Sequence, residues 1–224
     1  MINSGRKDLK TIRTCGQEYS NEGKIMNIDL VRSPILSNEI LTQTLVFQNT
    51  EYAFDYNKSF LDFYATYPCV DFSVYVNAPL EESFLKSLGE NLLPVIQGKS
   101  QEDAVNFLLH FTQKAFSYKP DQNNYGFEKW NFAEETLVSR YSDCDDRAIF
   151  FTQLVKNLLG MKVVLVHYPG LHLAAAVRFD NPQTDGDHVI VNNTKYMICD
   201  PTYINANLGM EMPKLKGIKM EIIQ

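Results

Sequence analysis

The chain has 224 residues, 45% hydrophobic and 12% aromatic, enough to bury one sizeable core and leave room for a smaller accessory region. A net charge of −6 and a pI near 5.2 argue against a nucleic-acid partner, and no basic stripe interleaved with aromatics reverses that. No apolar stretch reaches the roughly 20 residues that cross a bilayer, and the start Met1-Ile-Asn-Ser-Gly-Arg-Lys-Asp8 lacks an apolar signal core.

Residues 1–24 are polar and weakly periodic and read as a poorly structured or truncated lead-in. Residues 25–78 read as a β-rich accessory region. Strands are expected from Lys24 to Val31, Thr42 to Gln48, Glu51 to Tyr56 and Val70 to Val76, with a hairpin between the second and third. The four would form a small sheet beside a core spanning 79–224. Two helices are predicted next, Leu80 to Ile96 and Gln101 to Tyr118, the second capped by Ser100 and carrying Ala104, Phe107, Leu108, Phe111 and Ala115 on one face. The polar stretch Lys119 to Gly126 reads as a surface connection.

The chemistry concentrates downstream. Cys144 opens a run to Gly160 in which Ala148, Phe151, Leu154, Val155, Leu158 and Leu159 recur at helical spacing, with Ser142 or Asp143 as the cap. A thiol in a first helical turn feels the positive end of the helix dipole, which favours thiolate, and its own N–H is free to meet an oxyanion. Asp143, Asp145 and Asp146 oppose the thiolate. After a predicted strand from Met161 and a Pro169-Gly170 turn, His172 begins a second β-type run, and a hairpin through His188–Val191 and Lys195–Cys199 delivers Asp200 at a strand end. Nucleophile, base and orienter of the base therefore occur in that order as Cys144, His172 and Asp200.

Asp143-Cys144-Asp-Asp-Arg-Ala148, the helix to Gly160, the strand, His172 and Asp200-Pro201 together resemble the transglutaminase-like superfamily over residues 101–212. The stretch from Phe132-Ala-Glu-Glu135 to Asp200-Pro-Thr-Tyr-Ile-Asn-Ala206 is most similar to uncharacterised transglutaminase-like proteins of Bacteroidetes-type bacteria. The resemblance implies an α+β fold with a papain-like core, in which Cys144 is the nucleophile, His172 the base and Asp200 its holder. It implies acyl transfer on peptide or protein amides, most simply hydrolysis, with transamidation as the enzymatic alternative and no cofactor or metal. A second oxyanion donor is expected upstream, Trp130 first, with Asn131 and Gln113 as further candidates. Leu173, Ala174 and Ala175 stand where many members carry an aromatic after the histidine.

Two rival readings compete. A zinc site from Cys144, His167, His172 and Cys199 lacks the close ligand pairs of structural zinc. A non-catalytic binding or envelope-assembly module could keep the fold without turnover. Cys15, Cys69 and Cys199 read as structural thiols. The chain as written reads as soluble and cytoplasmic; a missing leader or upstream domain would make it periplasmic or envelope-bound.

Overall fold

The computed structural model describes residues 37–181 and 183–224. The lead-in and the strand expected over 24–31 lie outside them. Alternating residues form an antiparallel hairpin of β1 (Ile40–Phe47) and β2 (Thr50–Asn57), closed by Gln48 and Asn49 at φ 51° and 61°, the left-handed pair that a two-residue hairpin turn requires. The inward residues Leu45, Phe47, Tyr52 and Phe54 are buried against α3 (Glu82–Ile96) and α4 (Gln101–Ala115). Phe111 of α4 takes edge-on contacts from Phe47, Tyr52 and Phe54 at centroid distances of 5.6, 5.5 and 6.0 Å. Ser100 caps α4 as expected, its hydroxyl accepting from the Asp103 N–H at 3.0 Å.

One expected strand is a helix. After α1 (Lys58–Tyr64), residues 70–76 do not add a fourth strand but turn into α2 (Phe72–Asn77). Phe72, Tyr75 and Val76 are buried at i, i+3 and i+4, a spacing that fits a helix as well as the alternation fits a strand. Tertiary donors decide between them. Gln153 Nε2 donates to the carbonyls of Tyr75 and Ala78, and Lys156 Nζ to that of Val76, so the last carbonyls of this short helix are satisfied from outside it. Cys69, read as a structural thiol, is disulfide-bonded. Cys199 is a buried free thiol.

Beyond α4 come β3 (Ser117–Tyr118), α5 (Asp121–Asn124), α6 (Ala133–Val138) and β4 (Tyr141–Ser142), with β3 and β4 paired in parallel. The long α7 (Cys144–Leu159) then runs through the centre. Every residue from Asp145 to Val155 is buried, and the helix ends at Gly160 with φ 64°. A helix covered on all sides is a core element rather than an amphipathic surface one.

The sheet holds β5 (Val163–Tyr168), β6 (His172–Val177), β7 (His188–Val191), β8 (Thr194–Cys199) and β9 (Glu221–Ile223), in the order β7-β8-β6-β5-β9 with every neighbour antiparallel. All six residues of β6 are buried. Ala175 and Val177 face the cluster containing Phe150, Phe151 and Leu154 of α7, while Ala174 and Ala176 face Tyr196, Ile198 and Leu215. The result is a mixed α+β arrangement in which the helix beginning at Cys144 lies on the strand beginning at His172.

Because the hairpin shares its core with α3, α4 and α7, Phe47→Ala should lower stability by about 3–5 kcal/mol. The loss should be visible at the lone Trp130, which sits in a different apolar cluster. Urea unfolding followed by tryptophan fluorescence checks this; an unchanged midpoint would mean that the hairpin melts by itself.

Candidate active site

Cys144 is the first residue of α7 and is partly buried. Asp143, not Ser142, is the cap: its carboxylate accepts from the Asp145 N–H at 3.1 Å, and Asp146 Oδ2 accepts from the Asp143 N–H at 3.5 Å. Among the described residues the N–H of Cys144 has no hydrogen-bond acceptor, as expected of a donor in a helix's first turn. The backbone N–H of Leu173, the residue after His172, faces the thiol and favours its thiolate, which places the thiol beside the strand that carries the candidate base. The thiol's own hydrogen-bond acceptor is Asp145 Oδ1 at 3.6 Å.

His172 and Asp200 are joined directly. Nε2 of the imidazole lies 2.9 Å from Asp200 Oδ2, with side-chain exposures of 4% and 1%, so water does not compete for this contact. The bond occupies Nε2 and leaves Nδ1 as the ring nitrogen open to a proton. Asp200 Oδ1 is filled in turn by the N–H groups of Thr202 and Tyr203 at 2.9 and 3.1 Å. Histidine and aspartate thus meet as the sequence reading expects, whereas Cys144 and His172 lie on adjoining elements without a hydrogen bond between them.

The upstream oxyanion candidates fare differently. Gln113 is buried and its amide is spent on the loop after β8: Nε2 donates to the carbonyls of Asp200 and Ala206, and Oε1 accepts from the Asn205 N–H. Asn131 is bound to Asp146 through both its backbone N–H and Nδ2, each at 3.0 Å. Trp130 stacks on Phe72 at 3.8 Å between centroids and belongs to the apolar cluster that includes Ala148 and Leu173. Its ring is packed beside the two elements that carry Cys144 and His172, and its indole N–H forms no hydrogen bond among the described residues.

A feature missed by the sequence reading surrounds the thiol. The supposed surface connection 119–126 contains buried Asp121, which meets Asp143 and Asp146, one carboxylate oxygen of each lying within 4.8 Å of the others. These three, or Asp143 with Cys144 and Asp145, are the groups close enough together to hold a cation here. No lysine or arginine of the described residues makes an ion pair with them, and Lys129 and Arg147 act on them only at longer range. Lys129 Nζ is engaged by Asn131 and Glu135, and Arg147 turns to Ser142 Oγ and the carbonyls of Gln113 and Phe116. Burial, then the neighbouring Asp143, raises the Asp121 carboxyl from 3.8 to about 7. Burial likewise raises Asp143, Asp145 and Asp146. The Cys144 thiol is pushed well above its ordinary range, first by burial and then by Asp145 and Asp143, with the Leu173 N–H opposing. The clue to Asp121 was its place beside Pro120 in a polar stretch, which gives no sign of burial.

A cavity of about 580 Å³ lies elsewhere, past the far end of β6, lined by Lys156, Lys162, Val164, Arg178, Asn192 and Tyr196 among others. It holds none of the candidate catalytic residues and no thiol, imidazole or carboxylate side chain. Neither family models nor curated proteins give a match to this chain.

Two consequences of the carboxylates are measurable. Between about pH 4 and pH 7 Asp121 is protonated when folded and ionised when unfolded, so the unfolded state binds fewer protons and stability falls as pH rises through that window. Asp121→Asn removes this loss. Thermal unfolding should show a Tm gain near pH 7.5 exceeding the roughly 2–4 °C equivalent to 1 kcal/mol in a chain of this size, and none near pH 4. Asp145→Asn removes a negative charge beside the thiol, so the pH profile of Cys144 alkylation by iodoacetamide, read site by site by mass spectrometry, should move to lower pH.

Proposed function

We propose that this chain is a cysteine-dependent acyl-transfer enzyme acting on peptide or protein amides, with hydrolysis as its reaction, through Cys144, His172 and Asp200 in a papain-like, transglutaminase-type core. The observation that carries the reading is the buried 2.9 Å contact between His172 and Asp200, with His172 opening the strand whose Leu173 N–H faces the Cys144 thiol.

In the resting site the raised thiol keeps its proton, shared with Asp145. Reaction begins when Sγ–H turns to His172 Nδ1, which takes the proton as Sγ attacks the amide carbonyl. The Cys144 N–H, reinforced by the positive end of α7, receives the oxyanion, and Trp130 is the candidate for the second donor. His172, now an imidazolium steadied by Asp200, returns the proton to the leaving amine. Water, deprotonated by the same imidazole, then attacks the thioester carbonyl and releases the acid and the free thiol. No step uses a metal or cofactor.

Two other readings each have one observation in their favour. The carboxylates beside Cys144 would attract a cationic amine, which favours transamidation, with the amine resolving the thioester in place of water. The raised thiol favours a fold that binds without turnover. Disulfides persist in oxidising compartments, so the Cys69 disulfide supports a periplasmic or envelope setting over the cytoplasm. Among the described residues no helix is long and apolar enough to cross a membrane.

The test is acylation by p-nitrophenyl acetate, with release of p-nitrophenolate and the acetyl adduct located by mass spectrometry. Acetylation should fall on Cys144, quicken with rising pH through the neutral range because the thiol is raised, and slow by on the order of 10²–10⁴-fold in His172→Ala. Resolution by water or by an added diamine separates hydrolysis from transamidation. Labelling of Cys144 indifferent to His172 would leave the binding module as the better account.

A further inference from the structure

We propose that Gln113 is a positioning residue of this site: its side-chain amide fixes the backbone of the Asp200 turn and so sets the direction from which Asp200 holds His172. The inference rests on the triad reading above and adds to it the group that aligns the acid.

Asp200 does not sit on a strand. It leaves β8 at the start of an irregular segment, and the turn that shapes its carboxylate is internal, made by the N–H groups of Thr202 and Tyr203. The β8–β6 ladder, which ends at Cys199 opposite Ala175, brings Asp200 beside the His172 strand, but the chain leaves the ladder there and the internal turn alone fixes the carboxylate only relative to its own backbone. Gln113 supplies a second reference from α4. Its Nε2 gives one proton to the Asp200 carbonyl at 3.1 Å and the other to the Ala206 carbonyl at 3.0 Å, while Oε1 accepts from the Asn205 N–H at 3.1 Å. Both donors and the acceptor are used, at 1% exposure. Asn205, at φ 65°, adopts the left-handed conformation that asparagine tolerates better than most residues, and its N–H reaches the amide.

The same residue is tied to the nucleophile's helix. Arg147, one turn beyond Cys144 and also 1% exposed, donates from Nη1 to the Gln113 carbonyl at 3.4 Å and from Nη2 to the Phe116 carbonyl at 2.8 Å, and from Nε to Ser142 Oγ at 3.0 Å. One residue of α4 therefore binds the Cys144 helix through its backbone and the Asp200 turn through its side chain.

The experiment compares Gln113→Met, which loses all three side-chain bonds, and Gln113→Glu, which keeps the acceptor and loses both donors at neutral pH, with Asn106→Leu. Asn106 Oδ1 holds the Leu208 N–H at 2.8 Å, in the same loop but away from Asp200, so its loss reports a merely structural contact. Three readouts are needed: the acetylation rate of Cys144 by p-nitrophenyl acetate, the downfield proton resonance of His172 Nε2–H, and Tm. Both Gln113 variants should slow acetylation on the order of 10–100-fold and weaken or abolish the imidazole resonance, whereas Asn106→Leu lowers Tm and leaves the other two unchanged. Parental rate and resonance in folded Gln113 variants would overturn the inference. So would failure of both to fold while Asn106→Leu folds, since a positioning role leaves the protein folded. A parent that shows the resonance but no His172-dependent acetylation would sink the triad reading alone, because the resonance still decides what Gln113 does.

Discussion

A buried arginine without a carboxylate partner holds the site's two halves together. Arg147 loses its hydration, which lowers its pKa, and its donors are met by two carbonyls and a hydroxyl. Such an arrangement survives because each of its three nitrogens finds an acceptor, since a buried charge left unsatisfied is costly. The geometry around it is accordingly narrow. The start of α7, the end of α4 and the short β3–β4 pair must all stand at fixed separations, and the Asp200 turn is fastened to the same place through Gln113. Guanidinium suits this task because its planar fork reaches the end of α4 and β4 at once in fixed directions, which a lysine ammonium does not.

Around that scaffold the local electrostatics pull in opposite senses. The helix start offers a positive end to the thiol, and the Leu173 N–H adds to it. Burial and the aspartates work against both. The aspartates are themselves raised by burial, so near neutrality the site holds fewer negative charges than its composition suggests, and the proton inventory of Asp121, Asp143, Asp145, Asp146 and Cys144 is shared rather than residue by residue. Burial and the two flanking aspartates together outweigh the helix start and the Leu173 N–H, so the Cys144 sulfur rests as a thiol.

Much of the scaffold was legible from patterns that report local preferences. The two-period alternation and the short Gln48-Asn-Thr50 connection sufficed for the hairpin, Ser100 for the start of α4 and Gly160 for the end of α7. Patterns failed where tertiary partners outweighed them. Residues 70–76 alternate, yet Gln153 and Lys156 hold that segment as a helix. Asp121 lies in a stretch as polar as any surface loop, yet it is buried against the α7 cap. Gln113 looked like a candidate oxyanion donor because it lies upstream of Cys144; its side chain is instead spent on the segment from Asp200 to Ala206.

The sequence by itself determined which groups could do chemistry and where each stands on its own element: a thiol at a helix start, an imidazole at a strand entry, a carboxylate at a strand end. Those assignments follow from capping, periodicity and turn residues, which act over a few positions along the chain. Only the tertiary structure decided that His172 and Asp200 meet through Nε2, that the thiol faces the Leu173 N–H and bonds Asp145, and that Asp121 joins the aspartates beside it. Such contacts join segments far apart in the chain, and they are set by the packing of α7 on β6 and by buried polar groups that must all find partners, a constraint that no short stretch of sequence expresses.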